Sequence, residues 1–187
     1  MTHPPMARVI DALAFAAHAH RAQFRKDDPP TPYVNHPLAL VRILAVEAGI
    51  EDADVLCAAA LHDVLEDCCG PGQEWSLAEG RALLGERFGP QVLALVEAVT
   101  DDKSLPKDVR KRLQVEHAAH TPRGAKLVKL ADKVANLRDI AATPPADWPE
   151  ERRREYVAWS VAVVDRLRGT HARLEALFDD IHARHPA

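Results

Sequence analysis

The chain has 187 residues, a length that fits one domain with a continuous core, and 47% hydrophobic with 28% charged residues is an ordinary globular composition. Aromatic residues make up only 5%, and the richness in Ala, Leu and Val favours helix over sheet, so an all-α fold is expected. The formal net charge of −4 excludes a nucleic-acid binder that relies on an overall basic surface, but leaves room for a local basic pocket that takes a small anion.

Residues 6–25 carry Val9, Ile10, Leu13, Ala14, Ala17 and Phe24 at mostly helical spacing, which predicts a first amphipathic helix with Asp11, His18 and Arg21 on its polar side. Four prolines in RKDDPPTPYVNHP, residues 25–37, then predict a stiff loop presenting Arg25, Lys26, Tyr33, Asn35 and His36, with Pro37 opening the next helix. PLALVRILAVEA, residues 37–48, reads as a buried helix stopped by Gly49. The stretch AAALHDVLED, residues 58–67, has no Gly or Pro and predicts one core helix that turns from apolar to polar within two turns. On a 3.6-residue period His62 and Glu66 share one face, and Asp63 and Asp67 the adjacent one. Imidazole and carboxylates crowded there repel or lose solvation unless a cation, a partner or water satisfies them; a divalent metal is one such cation.

CCGPGQEW, residues 68–75, breaks into a surface loop, and Ser76 with Glu79 makes the capping box of a helix reaching Phe88. Gly89-Pro90 ends that helix and opens the next, QVLALVEAVT. Asp101 and Asp102 lie at its C-terminal end, where the dipole disfavours acids, so both are expected to bond something, whereas Lys103 is favoured there. Residues 106–120 read as a solvated helix with a basic side of Lys107, Arg110, Lys111 and Arg112. Residues 122–142 read as a long, mainly buried helix with Asp132 and Asn136 on one face, flanked by Lys129, Lys133 and Arg138. On spacing alone, Asp132 suits a salt bridge to a neighbouring lysine better than a metal. Asp147 with Glu150 reads as a second capping box, opening a helix that carries Tyr156, Trp159, Val163 and Leu167. Gly169 interrupts it, and HARLEALFDDIHARH makes a final amphipathic helix.

No apolar run is long enough to span a bilayer, and the N-terminus lacks the order of a secretory signal, so a cytoplasmic protein is expected. The three cysteines form neither an even disulfide framework nor a CxxC zinc pattern; Cys57 reads as core, and Cys68 and Cys69 as reduced loop thiols. His36, His62, Asp63 and Asp132 come from three separate elements and together make a mixed set of two imidazoles and two carboxylates. Such a set leaves open positions on a six-coordinate ion, and its oxygen share suits Mn²⁺ or a similar divalent ion better than a structural zinc. Hydrolytic chemistry is implied.

The segments RKD, TPYVNHP, ALHDVLED, VTDDKSLPK and KLVKLADKVANLRD resemble, in order and spacing, the HD-domain pyrophosphohydrolases of the Rel/SpoT family, in particular its small hydrolase-only metazoan SpoT homologues. The resemblance covers nearly the whole chain. It implies a single HD domain over residues 1–187 with about eight to ten helices, and one Mn²⁺ per chain, other divalent ions being possible, on His36, His62, Asp63 and Asp132. It further implies Glu66 and Asp67 as the acidic pair that handles the nucleophilic water, and Arg25, Lys26, Lys103, Asn136 and Tyr156 as substrate contacts. The implied activity is removal of the 3′-pyrophosphate from the guanosine nucleotide ppGpp, or pppGpp, giving GDP or GTP and pyrophosphate, with neither nucleic acid nor membrane as partner. Alternatives are 2′-phosphate removal from NADPH, a non-catalytic alarmone-binding module and a helical interaction protein. The chain departs from the family pattern at Ala135, which leaves the shape of the nucleoside pocket open, and at Cys68-Cys69 in the loop after Asp67, so that substrate choice can differ while the metal chemistry stays.

Overall fold

Seven consecutive buried residues, Val55 to Leu61, make helix α3 (Ala53–Leu61) the centre of the molecule. The small side chains of Ala58, Ala59 and Ala60 let neighbours approach from several sides, and α3 packs against α1 (Pro5–Ala19), α2 (Asn35–Arg42), α6 (Pro90–Val99) and α8 (Arg123–Ala142). The computed structural model describes residues 4–145 and 147–185. The remaining helices are α4 (Val64–Asp67), α5 (Leu77–Phe88), α7 (Lys107–Ala118), α9 (Glu150–Leu167) and α10 (Ala172–Arg184). Among the described residues there is no strand, only isolated bridges between Phe24 and Pro32 and between Cys69 and Trp75, so the fold is all-α as expected. None of these helices is long and apolar enough to cross a membrane.

Helix α1 stops at Ala19, and its buried face is Val9, Ala12, Phe15 and Ala16; Ile10 is 59% exposed, and Ala14 and Ala17 are exposed too. Alanines spread around the helix make its apolar face ambiguous. Phe15 decides it by stacking on Trp75 with centroids 5.6 Å apart and meeting Phe88 edge-on at 5.7 Å. Phe24 falls in the following loop, 61% exposed. Helix α2 begins at Asn35, two residues ahead of Pro37, so His36 belongs to its first turn and not to the loop. It runs into a wider π-type turn, Ile43–Glu47, and Gly49 takes the left-handed conformation (φ 72°) that ends it.

The continuous helix expected over residues 58–67 is instead broken at His62 and Asp63, between α3 and α4. The His62 Nδ1 lies 2.9 Å from the Ala59 carbonyl, which an unbroken helix would offer to the Asp63 N–H. The local reason for the break is therefore the histidine itself.

Ser76 and Glu79 form the expected reciprocal capping box on α5. Ser76→Ala is expected to cost about 1 kcal/mol of stability, read as a lower urea midpoint with an unchanged slope. The box expected from Asp147 and Glu150 does not form: Pro149 occupies the N-cap of α9 and leaves Asp147 outside, although Glu150 and Glu151 still favour the first turn electrostatically. Cys57 is buried as expected. Cys68 is also buried, its Sγ 3.4 Å from His20 Nδ1, while Cys69 is half-buried. Both therefore pack against the fold instead of standing free in the loop. Ala135 faces the core and is 2% exposed, so this departure does not shape a ligand cavity directly.

Candidate active site

Helix α8 places Lys129, Asp132, Lys133 and Asn136 along one side at i, i+3, i+4 and i+7. That side meets the first turn of α2, which supplies His36, and the α3–α4 break, which supplies His62 and Asp63. One ligand atom each from His36, His62 and Asp132 lies within 4.8 Å of the others. His36 Nε2 is 3.3 Å from Asp132 Oδ1 and 4.0 Å from Asp63 Oδ2. Asp63 Oδ2 is 2.8 Å from His62 Nε2, but that nitrogen, like His36 Nδ1, is buried without a hydrogen-bond partner. Contact with Ala59 at Nδ1 leaves Nε2 as the free donor position of His62. Four residues from three separate elements thus converge, and orphaned imidazole nitrogens beside two carboxylates are the chemistry of a divalent-ion site.

The charges agree with this reading. Burial works against a charged His62, but the neighbouring Asp63 outweighs it and pushes the imidazole up to about 9. Burial likewise opposes an ionised Asp132, yet Lys133, with Nζ 2.9 Å from Asp132 Oδ2, and His36 hold it well below the usual carboxylate range. Asn136 Nδ2 donates to Asp132 Oδ1 at 2.6 Å. A divalent ion bound here exchanges with the imidazole proton, so its binding is expected to release protons.

Tyr33 connects the two acidic groups. Its hydroxyl donates to Asp63 Oδ2 at 2.6 Å and lies 3.4 Å from Asp67 Oδ2, while its ring stacks on His20 with centroids 4.7 Å apart. Glu66 turns to the other side, where Oε2 accepts the Asp101 N–H at 3.1 Å and Oε1 lies 3.6 Å from Arg110 and 3.9 Å from Lys103. Burial above all, against that hydrogen bond, pushes the Glu66 carboxyl up to about 7. Lys103 pairs with Asp67. Asp101 accepts from Gln114 at 2.7 Å and Asp102 from Ser104, so both aspartates are bonded as expected. Helix α7 is less purely solvated than its charge suggests, because Arg110 reaches Glu66.

Two cavities meet at this centre. One, of about 200 Å³, contains His36, His62, Asp63, Glu66, Asp67 and Asp132 on its walls. The other, of about 320 Å³, is lined by Arg25, Lys26, Asn136 and Tyr156, and shares Arg25, Tyr33, His36 and Asn136 with the first. Arg25 is held by Asp139 at 2.5 Å and by Asn136 Oδ1 at 3.2 Å. Lys26 is exposed on the rim, and Tyr156 lies between Trp148 and Trp159. Lys103 is absent from both sets of walls and reaches the centre through Asp67 and Glu66. The roles of Tyr33, Lys133, Asp139 and Arg110 were not singled out by sequence reasoning. Tyr33 and Lys133 had a signal, three residues before His36 and adjacent to Asp132; Asp139 and Arg110 had only charge.

The HD domain family profile matches residues 12–158. Guanosine-3′,5′-bis(diphosphate) 3′-pyrophosphohydrolase MESH1 of Drosophila melanogaster is 49% identical over 177 residues, covering 95% of this chain and 94% of its own. The Homo sapiens protein of the same name is 52% identical over 169 residues, covering 90% and 89%. A solved structure described as a metazoan ortholog of SpoT that hydrolyzes ppGpp and plays a role in starvation responses superposes with a TM-score of 0.88 at 48% identity, over 98% of both chains. Membership of such a group implies a divalent metal, and the donors found here fit one. The chain belongs to the HD-domain family and groups within it with the MESH1 pyrophosphohydrolases.

Proposed function

We propose that this chain removes the 3′-pyrophosphate from ppGpp, and from pppGpp, with Mn²⁺ as its ion on His36, His62, Asp63 and Asp132. The observation that carries this reading is the convergence of His36, His62 and Asp132 to within 4.8 Å beside a cavity walled by Arg25, Lys26, Asn136 and Tyr156. The relatives' names support ppGpp as the substrate over NADPH. Helix α10, beyond the matched residues, packs on α8, which supports treating residues 1–187 as one domain.

A divalent ion bound by these residues supplies acidity to a water and positive charge to a phosphate oxygen. Glu66, raised by burial to a pKa near neutral, takes a proton from the attacking water and returns it to the ribose oxygen as the phosphorus–oxygen bond breaks. Asp67, paired to Lys103, keeps that lysine beside the acidic pair. Arg25 and Lys26 offset the charge that builds on the departing pyrophosphate, and Asn136 orients the nucleoside side from the wall common to both cavities. Tyr156, set in an aromatic cluster, gives the nucleoside a flat apolar surface.

Two substitutions test this division of roles. Lys26→Ala removes a charge-assisted contact worth roughly 1.5–3 kcal/mol, about one to two decades in kcat/KM on ppGpp, and leaves metal content intact. The loss is expected to shrink on a nitrophenyl phosphodiester; equal losses on both substrates would end the polyphosphate reading of this loop. Tyr33→Phe removes the hydrogen bond that orients Asp63 and is expected to weaken Mn²⁺ binding about 10- to 100-fold. A competition titration with a metal-sensitive dye measures it, and unchanged affinity would contradict the assignment of Asp63.

A further inference from the structure

Three cations line the smaller cavity: Arg25, Lys129 and Lys133. Two of them are committed, Arg25 to Asp139 at 2.5 Å and Lys133 to Asp132 at 2.9 Å. The Lys129 side chain has no hydrogen bond and no carboxylate within 4.0 Å among the described residues, although it sits one helical turn before Asp132 on the same side of α8. Its surroundings are costly for a charge. Burial and the neighbouring Lys133 lower its pKa, and Asp101, Asp132 and Glu66 oppose this only from a distance. A half-buried ammonium with no carboxylate partner favours an anion beside it, and the cavity it lines is the one that contains Glu66 and the converging imidazoles.

We propose that Lys129 is a further catalytic residue, whose ammonium bonds a non-bridging oxygen of the diphosphate being released. This rests on the pyrophosphohydrolase reading above. In the hydrolytic step a water oxygen bonds to phosphorus as Glu66 takes one of its protons, the bond from that phosphorus to the ribose oxygen breaks with its electron pair going to that oxygen, and Glu66 returns the proton there to leave a 3′-hydroxyl. Lys129 transfers nothing: it keeps its proton and supplies charge and a hydrogen bond to the phosphoryl oxygens as the attacking oxygen brings negative charge to them. Because no carboxylate competes within contact distance, its ammonium can turn fully to that oxygen. Arg25 and Lys133 must instead share theirs with existing partners.

The test is equilibrium dialysis of radiolabelled inorganic pyrophosphate at a fixed free Mn²⁺ concentration, with metal content and ppGpp turnover measured on the same samples. Lys129→Met is expected to bind pyrophosphate about 10- to 100-fold more weakly while retaining its metal, and Lys129→Arg to recover part of the loss. Pyrophosphate affinity within twofold of wild type overturns the proposal. Loss of metal from Lys129→Met also overturns it, since the lysine would then act through Asp132. Lys129→Gln is measured alongside, and failure of all three variants to fold overturns the proposal by making the residue structural. Lys129-dependent pyrophosphate binding without any wild-type ppGpp turnover would sink the proposed function and leave the anion site standing; turnover with unaltered pyrophosphate binding in Lys129→Met would do the reverse.

Discussion

Asp132→Asn is expected to lose its bound metal and, with it, turnover by about 10³-fold or more. The substitution keeps the shape of the side chain and one of the two oxygens that accept from Lys133 Nζ at 2.9 Å and Asn136 Nδ2 at 2.6 Å. What it removes is the negative charge that a divalent ion requires beside His36 and His62. Metal analysis after dialysis and a ppGpp assay read the two losses together. Asp132→Ala is a poorer experiment, because it also removes every acceptor oxygen from beside Lys133, a cation 4% exposed, and risks the fold itself. Metal content near wild type in Asp132→Asn would remove Asp132 from the proposed ligand set.

Glu66→Ala separates proton transfer from metal binding. Its carboxylate is held by the Asp101 N–H and faces Arg110 and Lys103, whereas the converging metal donors come from His36, His62 and Asp132. The variant is expected to retain its metal and to lose about 10²–10⁴-fold in kcat, the range for a positioned general base. A base must be ionised to accept a proton, and burial raises Glu66 to about 7, so wild-type activity is expected to fall on the acid side as pH drops through that region. An ion beside the carboxylate moves this limb to lower pH. A pH profile of kcat/KM tests the assignment, as does metal analysis: loss of metal from Glu66→Ala would mean that Glu66 is a ligand.

Much of the fold was legible because its longest helices carry strong local signals. The apolar positions of α8, the box at Ser76 and Glu79, and the stops at Gly49 and Gly169 all appear where expected. Errors arose where tertiary contacts outweigh local pattern. Alanine-rich α1 is oriented by the contacts of Phe15 with Trp75 and Phe88, neither of which its own periodicity reveals. The break after Leu61 depends on a His62 side chain reaching back to Ala59, in a stretch whose composition reads as helix throughout. Asp147 fails as a cap because Pro149 already occupies the position.

The candidate site was legible as residue types on separate elements, and the resemblance supplied the roles. Its supports were hidden. Tyr33 joins Asp63 and Asp67 across 30 and 34 residues of sequence, and Arg25 meets Asp139 across 114. Pairings at such separations follow from the packing of α2, the α3–α4 break and α8, which no local period encodes. The role of Lys129 is hidden for another reason: on the sequence it is one of several lysines flanking Asp132, and only the structure separates the paired Lys133 from the Lys129 side chain that has no carboxylate partner.

The central claim is tested most directly by product analysis after incubation of ppGpp with the Mn²⁺-loaded protein. The expected result is one GDP and one pyrophosphate for each ppGpp consumed, with turnover abolished by a chelator and restored by Mn²⁺. Release of orthophosphate in place of pyrophosphate, or no turnover of ppGpp under conditions where NADPH loses its 2′-phosphate, would contradict the account.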